Sequence, residues 1–137
     1  MPVVDASVVV DWVAPDVDPK GPAMRALRAL VKNGERVLGP RLLFEEVANA
    51  LVTGVRRGRW DGVAADRAFV ELRGLPVELV DTTADLEQAW ELSRRYDEHP
   101  IYDLLYVAVS RRLDERLLTA DRRLVDRIGG RGIELVG

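Results

Sequence analysis

Four acidic residues stand near the points where predicted strands end or predicted helices begin. Asp5 directly follows a short apolar run at residues 2–4, and Asp121 lies two residues beyond another at 116–119. Glu46 and Asp103 fall near the starts of two longer helical segments. Aspartate is a common helix N-cap, so capping alone explains Asp5 and Asp121 equally well when each is taken singly.

Glu46 differs from its neighbour Glu45 in the direction its side chain should take. At about 100° per residue, Glu46 falls at the edge of the buried helix face, Glu45 points away from it, and Asn49 shares the flank of Glu46. The alternative role for Glu46 is to complement the helix dipole. The buried face is made of apolar residues: Leu43, Val47, Ala50 and Leu51.

Asp103 lies within a segment, residues 101–109, that is apolar nearly all round. Such a helix is expected to be buried. A charge inside it is costly unless it is paired or bound to a metal, although a position in the first turn also favours an acid. This residue is therefore the strongest single indication of a functional site.

Short apolar runs alternate with longer amphipathic segments, which predicts a single α/β domain over residues 1–137. We expect a three-layer α/β/α sandwich with a central parallel sheet of about five strands. Asp81 or Thr82 should cap the fifth helix. The predicted strands are 2–4, 36–39, 76–80, 116–119 and 133–135, and the predicted helices are 7–12, 23–32, 40–56, 61–73, 84–96, 101–112 and 121–128, with a turn over 129–132 before the last strand.

The carboxyl ends of parallel strands share one edge, where ligands bind, so the four acids should gather there. Their charges would repel one another unless a cation neutralises them or their pKa values shift. The chain has no cysteine and one histidine, which excludes sulfur-based and multi-histidine sites. Carboxylates suit Mg²⁺ or Mn²⁺ and phosphoryl chemistry. Hydroxyls of Ser7 and Thr119 could hold a water molecule or a phosphate oxygen, or merely cap and close turns.

The charge and composition exclude several other classes. The net charge is −3, so contacts to nucleic acid would depend on local arginine pairs such as Arg122 and Arg123. The sequence has no membrane-length apolar run and no positively charged leader, which predicts a cytoplasmic protein without a membrane partner. A receiver-like phosphoacceptor needs a late lysine, whereas the only lysines are Lys20 and Lys32. The single histidine, His99, lies in a loop and is expected to play no acid–base role.

Four segments, in order and spacing, resemble the PIN-domain ribonucleases, especially the VapC toxins of bacterial and archaeal toxin–antitoxin pairs. The segments are residues 4–7, 43–51, 102–108 and 118–124, and all four acidic positions are kept. Residues 16–36 and 61–83 carry no matching motif.

This resemblance implies one or two Mg²⁺ or Mn²⁺ ions held by Asp5, Glu46, Asp103 and Asp121, and hydrolysis of RNA phosphodiester bonds. It further implies a homodimer and a small antitoxin that blocks the active site. Ser7, Asn49 and Thr119 would be supporting polar residues. The alternative is a catalytically silent PIN-fold module that binds another protein.

Overall fold

Five short parallel strands form the centre of the computed structural model, which describes residues 1–80, 82–130 and 132–137. Their order across the sheet is β3-β2-β1-β4-β5, so the first strand is central. Val3 pairs with both Leu38 and Leu117. The strands are β1 (Val3–Val4), β2 (Val37–Gly39), β3 (Val77–Leu79), β4 (Leu117–Thr119) and β5 (Ile133–Leu135).

Seven helices in the described ranges connect these strands. Since crossovers between parallel strands are right-handed, the reversal of strand order after β3 places α1–α4 on one face and α5–α7 on the other. The predicted three-layer sandwich is thereby confirmed. The helices are α1 (Ala6–Val13), α2 (Pro22–Lys32), α3 (Leu43–Arg56), α4 (Gly62–Arg73), α5 (Thr83–Arg95), α6 (Ile101–Leu113) and α7 (Arg122–Ile128). In the part of the chain that is described, none of them is long and apolar enough to cross a membrane.

The main departure from the predicted elements is the start of the third helix. The sequence predicts that Pro40 opens it, but α3 begins at Leu43. The Leu43 N–H donates to the Pro40 carbonyl at 3.0 Å, because the chain must first turn out of β2. Thr82 caps α5 in a capping box with Asp85. Asp81, the other predicted cap, and Arg131, in the predicted turn before the last strand, lie outside the described residues.

The apolar character of α6 places it in the core, as its sequence predicts. Its own residues Leu104, Tyr106 and Val109 are buried, and so are Val3 and Val4 of the central strand. A charged pair, buried at its Asp85 end, joins this helix to α5: the Arg112 guanidinium donates to both oxygens of Asp85, at 2.7 and 3.0 Å. Burial raises the pKa of Asp85, but the hydrogen bonds from Arg112 and Thr82 outweigh it, so that this pKa lies below its usual value.

On the face of the sheet covered by α1–α4, two tryptophans hold neighbouring helices together through indole hydrogen bonds. The Trp12 indole N–H donates to the Ala23 carbonyl at 2.9 Å, which holds α1 to the start of α2. The Trp60 indole N–H donates to the Leu51 carbonyl at 2.8 Å, and its ring lies directly against Gly54 of α3. Trp60 can pack there only because residue 54 has no side chain.

We predict that Gly54→Ala lowers the free energy of unfolding by about 1–3 kcal/mol, because the new methyl group would overlap the Trp60 ring. Gly62→Ala is the matched control, since nothing lies within 4 Å of a methyl group there. Alanine's better helix propensity should make that variant neutral or up to about 1 kcal/mol more stable. Denaturant unfolding monitored by tryptophan fluorescence measures both, and equal stability of the two variants would contradict this packing.

Candidate functional site at the reversal of strand order

The candidate site lies where the order of the strands reverses, between β1 and β4. The chain leaves β1 toward β2 on one side, and it returns from β3 to β4 on the other. The two connections diverge, so a crevice opens beyond the carboxyl ends of these two strands. Asp5 follows β1, while Thr119 ends β4 and Asp121 lies two residues beyond it.

Asp5 is held rigidly at this point. Its side chain is buried, and one oxygen caps α1 by accepting the Ser7 N–H at 2.6 Å. The other oxygen accepts the Thr119 hydroxyl at 2.6 Å. Burial raises the pKa of this carboxyl, and the charge of Asp103 acts in the same direction, whereas the bonds from Thr119 and Ser7 lower the pKa.

The hydroxyls of Ser7 and Thr119 join the two strand ends. Besides donating to Asp5, Thr119 accepts the Asp121 N–H at 3.0 Å. Ser7 accepts the Ala120 N–H at 2.9 Å. In the described structure both side chains thus make the turn hydrogen bonds that the sequence offered as their alternative role, and through them they position Asp5.

Glu46 reaches the site from α3 and is held there by Tyr106 of α6. The Tyr106 hydroxyl, itself buried, donates to Glu46 Oε1 at 2.8 Å. Burial raises the pKa of Glu46, the Tyr106 hydrogen bond lowers it, and the charges of Asp5 and Asp103 raise it further. Burial and the same carboxylates raise the pKa of Tyr106 far above its usual value, so its proton stays in place.

The helix-wheel prediction for α3 holds in part. Glu45 is exposed and Glu46 is half-buried, as expected. Asn49, predicted on the same flank, is exposed, and its role as a supporting polar residue stays a prediction. It lies far enough round the helix to face solvent.

Asp103 enters from the first turn of α6. Its Oδ2 lies 2.8 Å from Nε2 of His99, which is 4% exposed, and its own side chain is 32% exposed. Because the charge of Asp103 raises the pKa values of both Asp5 and Glu46, these three carboxylates form one electrostatic group, the carboxylate cluster.

Asp121 is placed differently. Its Oδ1 accepts the Arg123 and Leu124 N–H groups at 2.9 and 3.3 Å, which makes it the N-cap of α7. Its backbone reaches Asp5 through Thr119, but its carboxylate is not among the charges that raise the pKa values of the cluster. The electrostatic coupling thus links Asp5, Glu46 and Asp103, and a metal-ligand role for Asp121, at the rim of this group, stays a prediction.

The carboxylate cluster suits a hard divalent cation in donor type and charge. Asp5 and Glu46 have raised pKa values because burial and like charges disfavour their ionised forms, which a cation would favour. Among the described residues, however, no three His, Cys, Asp or Glu side chains already stand at the spacing of a formed metal site. Each of the four acids is instead occupied by a hydrogen-bond partner of the protein.

The structure adds two residues to this site that the sequence motifs do not single out. Tyr106 belongs to the apolar run of α6, but it lies three residues after Asp103 and so close to it on the helix surface. His99 precedes α6 in a loop, yet it is buried and contacts Asp103. Its spacing of four residues from Asp103 was the available signal.

Comparisons with known proteins agree with this fold. The family model described as "PIN domain" matches residues 3–130. Ribonuclease VapC1 of Mycobacterium tuberculosis is 36% identical over 127 residues, which cover 89% of this chain and 86% of that protein.

Two solved structures share the fold. A toxin–antitoxin complex from Klebsiella pneumoniae superposes with a TM-score of 0.69 at 16% identity, covering 100% of this chain and 98% of that one. VapC20 of M. tuberculosis, described as a sarcin–ricin loop cleaving toxin, gives 0.66 at 22% identity, covering 92% and 94%. At these identities the likeness concerns the fold alone.

We predict that Glu46→Gln stabilises the metal-free protein at neutral pH, because it removes one charge of the cluster and keeps an acceptor for Tyr106. A raised folded-state pKa makes the charged form of Glu46 destabilising above the ordinary carboxyl value of 4.5, so the gain should vanish as pH falls below it. Denaturant unfolding in EDTA measures this. Glu45→Gln is the control: Glu45 is exposed, so its substitution should leave the free energy of unfolding nearly unchanged. A loss of stability in Glu46→Gln would contradict the proposed repulsion between the carboxylates.

Proposed function

The chain belongs to the PIN-domain family, and on that premise we propose that it is an endoribonuclease, the toxin of a toxin–antitoxin pair. Residues 1–137 would act as one domain in the cytoplasm on RNA. The observation that carries this proposal is the carboxylate cluster, Asp5, Glu46 and Asp103, gathered at the reversal of strand order. Family membership and this group of like charges support the same activity independently.

We infer that Mg²⁺ or Mn²⁺ is the cofactor, held by Asp5, Glu46 and Asp103, with Asp121 at the rim as a fourth acid. When bound, such an ion offsets the carboxylate charges, orients a phosphate and favours ionisation of the attacking water. Hydrolysis then adds a water oxygen to phosphorus and breaks one ester P–O bond. The leaving oxygen takes up a proton.

The protein's own groups would prepare this chemistry. Thr119 and the Ser7 N–H keep the Asp5 carboxylate in one orientation. Tyr106 keeps Glu46 in place, and its raised pKa means that it remains a donor rather than becoming another anion. Preorganisation of this kind lowers the cost of assembling the site when RNA arrives.

One observation favours a second candidate, a catalytically silent module that binds another protein. Over the described residues each of the four acids has a hydrogen-bond partner in the protein, and no formed metal site is present. A protein that had lost catalysis but kept its fold would tolerate such an arrangement. Metal binding and RNA cleavage separate the two candidates.

We predict that the purified protein cleaves a mixed RNA pool with Mg²⁺ or Mn²⁺ and not with EDTA. Asp5→Asn, Glu46→Gln and Asp103→Asn should each reduce cleavage by about 100-fold or more, because each removes a charged oxygen ligand. Asp121→Asn should reduce it less, because the asparagine amide oxygen can still accept the N–H groups at the start of α7, so the variant loses a charge but not the cap.

Glu45→Gln is the control for these variants, since it removes an exposed charge one residue from Glu46. Its cleavage rate should match the wild type. Wild-type protein that neither cleaves RNA under any of these conditions nor binds Mn²⁺ in a titration would exclude the nuclease and leave the binding module.

The proposed partners are a cognate antitoxin and a second copy of this chain.

A surface on α5 suits the second copy. Leu86 and Trp90 lie one turn apart there and are 51% and 58% exposed, which gives a surface helix an apolar patch. Acidic residues accompany the patch and arginines follow it, so two antiparallel copies of α5 would match opposite charges. These residues are Glu87, Glu91, Arg94 and Arg95.

We predict that the protein, whose chain mass is 15.3 kDa, is a dimer by light scattering and that Trp90→Glu makes it a monomer. The exposed Val70→Glu on α4 controls for a new surface charge and should stay dimeric. A wild-type monomer, or a Trp90→Glu dimer, would contradict the proposed interface.

The proposed antitoxin is tested in the cleavage assay. The product of a small reading frame next to the gene for this chain should inhibit RNA cleavage when it is added.

A further inference from the structure

A chain of three side chains runs from the surface of α7 to the carboxylate cluster. Arg127 Nη1 lies 3.3 Å from Nδ1 of His99, and Nε2 of the same ring lies 2.8 Å from Oδ2 of Asp103. The cation is exposed and the imidazole is 4% exposed. Nδ1 of the ring thus faces a hydrogen-bond donor, the guanidinium, and Nε2 faces an acceptor, the carboxylate.

The chemistry of the two ends determines where the ring proton lies. A guanidinium can only donate, so Nδ1 must accept from Arg127 and carries no proton. The remaining proton is then on Nε2, from which it is donated to the Asp103 carboxylate. The two contacts therefore favour a single tautomer of the ring and set its orientation from both sides.

The backbone around the ring is also fixed. The Ser93 hydroxyl donates to the His99 carbonyl at 2.7 Å, and the His99 N–H donates to the Tyr96 carbonyl at 3.1 Å. Asp97 and Glu98 turn the chain with φ values of 54° and 53°, in the left-handed region. A buried ring on such a backbone has little freedom to leave Asp103.

We propose that His99 and Arg127 are positioning residues for Asp103. Arg127 selects the tautomer of His99, and His99 holds Oδ2 of Asp103, so that the carboxylate presents Oδ1, which accepts no hydrogen bond from the described residues. The part concerning metal ligation rests on the proposed function. The part concerning the tautomer and the Asp103 contact does not.

Simple electrostatics makes the opposite prediction, which renders the proposal testable. Arg127 carries a positive charge, so its removal by itself should strengthen the binding of a cation nearby. If Arg127 acts by positioning Asp103, its removal should weaken that binding instead. Loss of partners behind metal ligands typically lowers metal affinity by about 10–100-fold.

The first experiment is a nitrogen-15 NMR spectrum of the metal-free, full-length protein at neutral pH. His99 is the only histidine, so the imidazole signals need no separate assignment. The proposal expects a proton on Nε2 and none on Nδ1 in the wild type. A ring protonated on Nδ1, alone or together with Nε2, would overturn it.

Arg127→Met keeps an unbranched side chain but removes the donor to Nδ1. It should mix the two tautomers and weaken Mn²⁺ binding about ten-fold or more in a calorimetric titration. Arg123→Met, which removes an exposed arginine from the same helix, should leave the tautomer unchanged and Mn²⁺ binding equal or stronger. An Arg127→Met protein with wild-type tautomer or tighter Mn²⁺ binding would refute the positioning role.

His99→Gln and His99→Leu separate positioning from packing. Both fill the buried space, but only glutamine offers an N–H near the place of Nε2. Mn²⁺ affinity should therefore fall in the leucine variant and recover largely in the glutamine variant, at similar unfolding free energy; equal losses would reject the role of the hydrogen bond. Absence of Mn²⁺ binding in the wild type would refute the metal-directed part and the proposed nuclease, whereas the NMR result decides the tautomer independently.

Discussion

The mutual repulsion of Asp5, Glu46 and Asp103 is the constraint around which this end of the molecule is built. Burial and like charge both disfavour ionised carboxylates, and here they act together on the cluster. At Asp5 and Glu46 the protein offsets them with neutral donors rather than with cations: a threonine hydroxyl and a backbone N–H at Asp5, and a tyrosine hydroxyl at Glu46. Neutral donors hold the acids in position without neutralising their charge. The cluster thus keeps its attraction for a cation.

The topology explains why these groups can meet at all. Asp5 and Thr119 are 114 residues apart, yet they lie at the ends of neighbouring strands, and their side chains form a direct hydrogen bond. Glu46 comes from one helical layer, whereas Asp103, Tyr106 and His99 come from the other or from the loop before it. The central position of β1 allows both layers to reach its carboxyl end. A different strand order would separate these side chains even if every local element were kept.

Rigidity at the centre of the site contrasts with exposure at its rim. The Asp5 carboxylate is buried and has both oxygens bound, while Asp103 is partly exposed and uses one oxygen. Asp121 caps α7 through its Oδ1 alone. This gradient suits a site that must admit a phosphodiester from solvent: inner groups hold the geometry, and outer groups remain accessible. It also explains why His99, behind Asp103, is placed to control the more exposed acid.

Local patterns in the sequence determined the fold class, the parallel sheet and most element boundaries, because hydrophobic periodicity and capping depend on neighbours along the chain. They also identified Asp5, Glu46 and Asp103, since strand ends and a polar residue in an apolar helix are visible without coordinates. Local patterns did not predict that α3 begins at Leu43, because Pro40 fits a helix start and a turn equally well. Only the tertiary structure decided that Asn49 is exposed, that Tyr106 donates to Glu46 and that His99 contacts Asp103. The contact between Tyr106 and Glu46 joins residues that are far apart in the sequence. Hydrophobic periodicity and capping motifs describe only neighbours along the chain, so they do not predict such a contact.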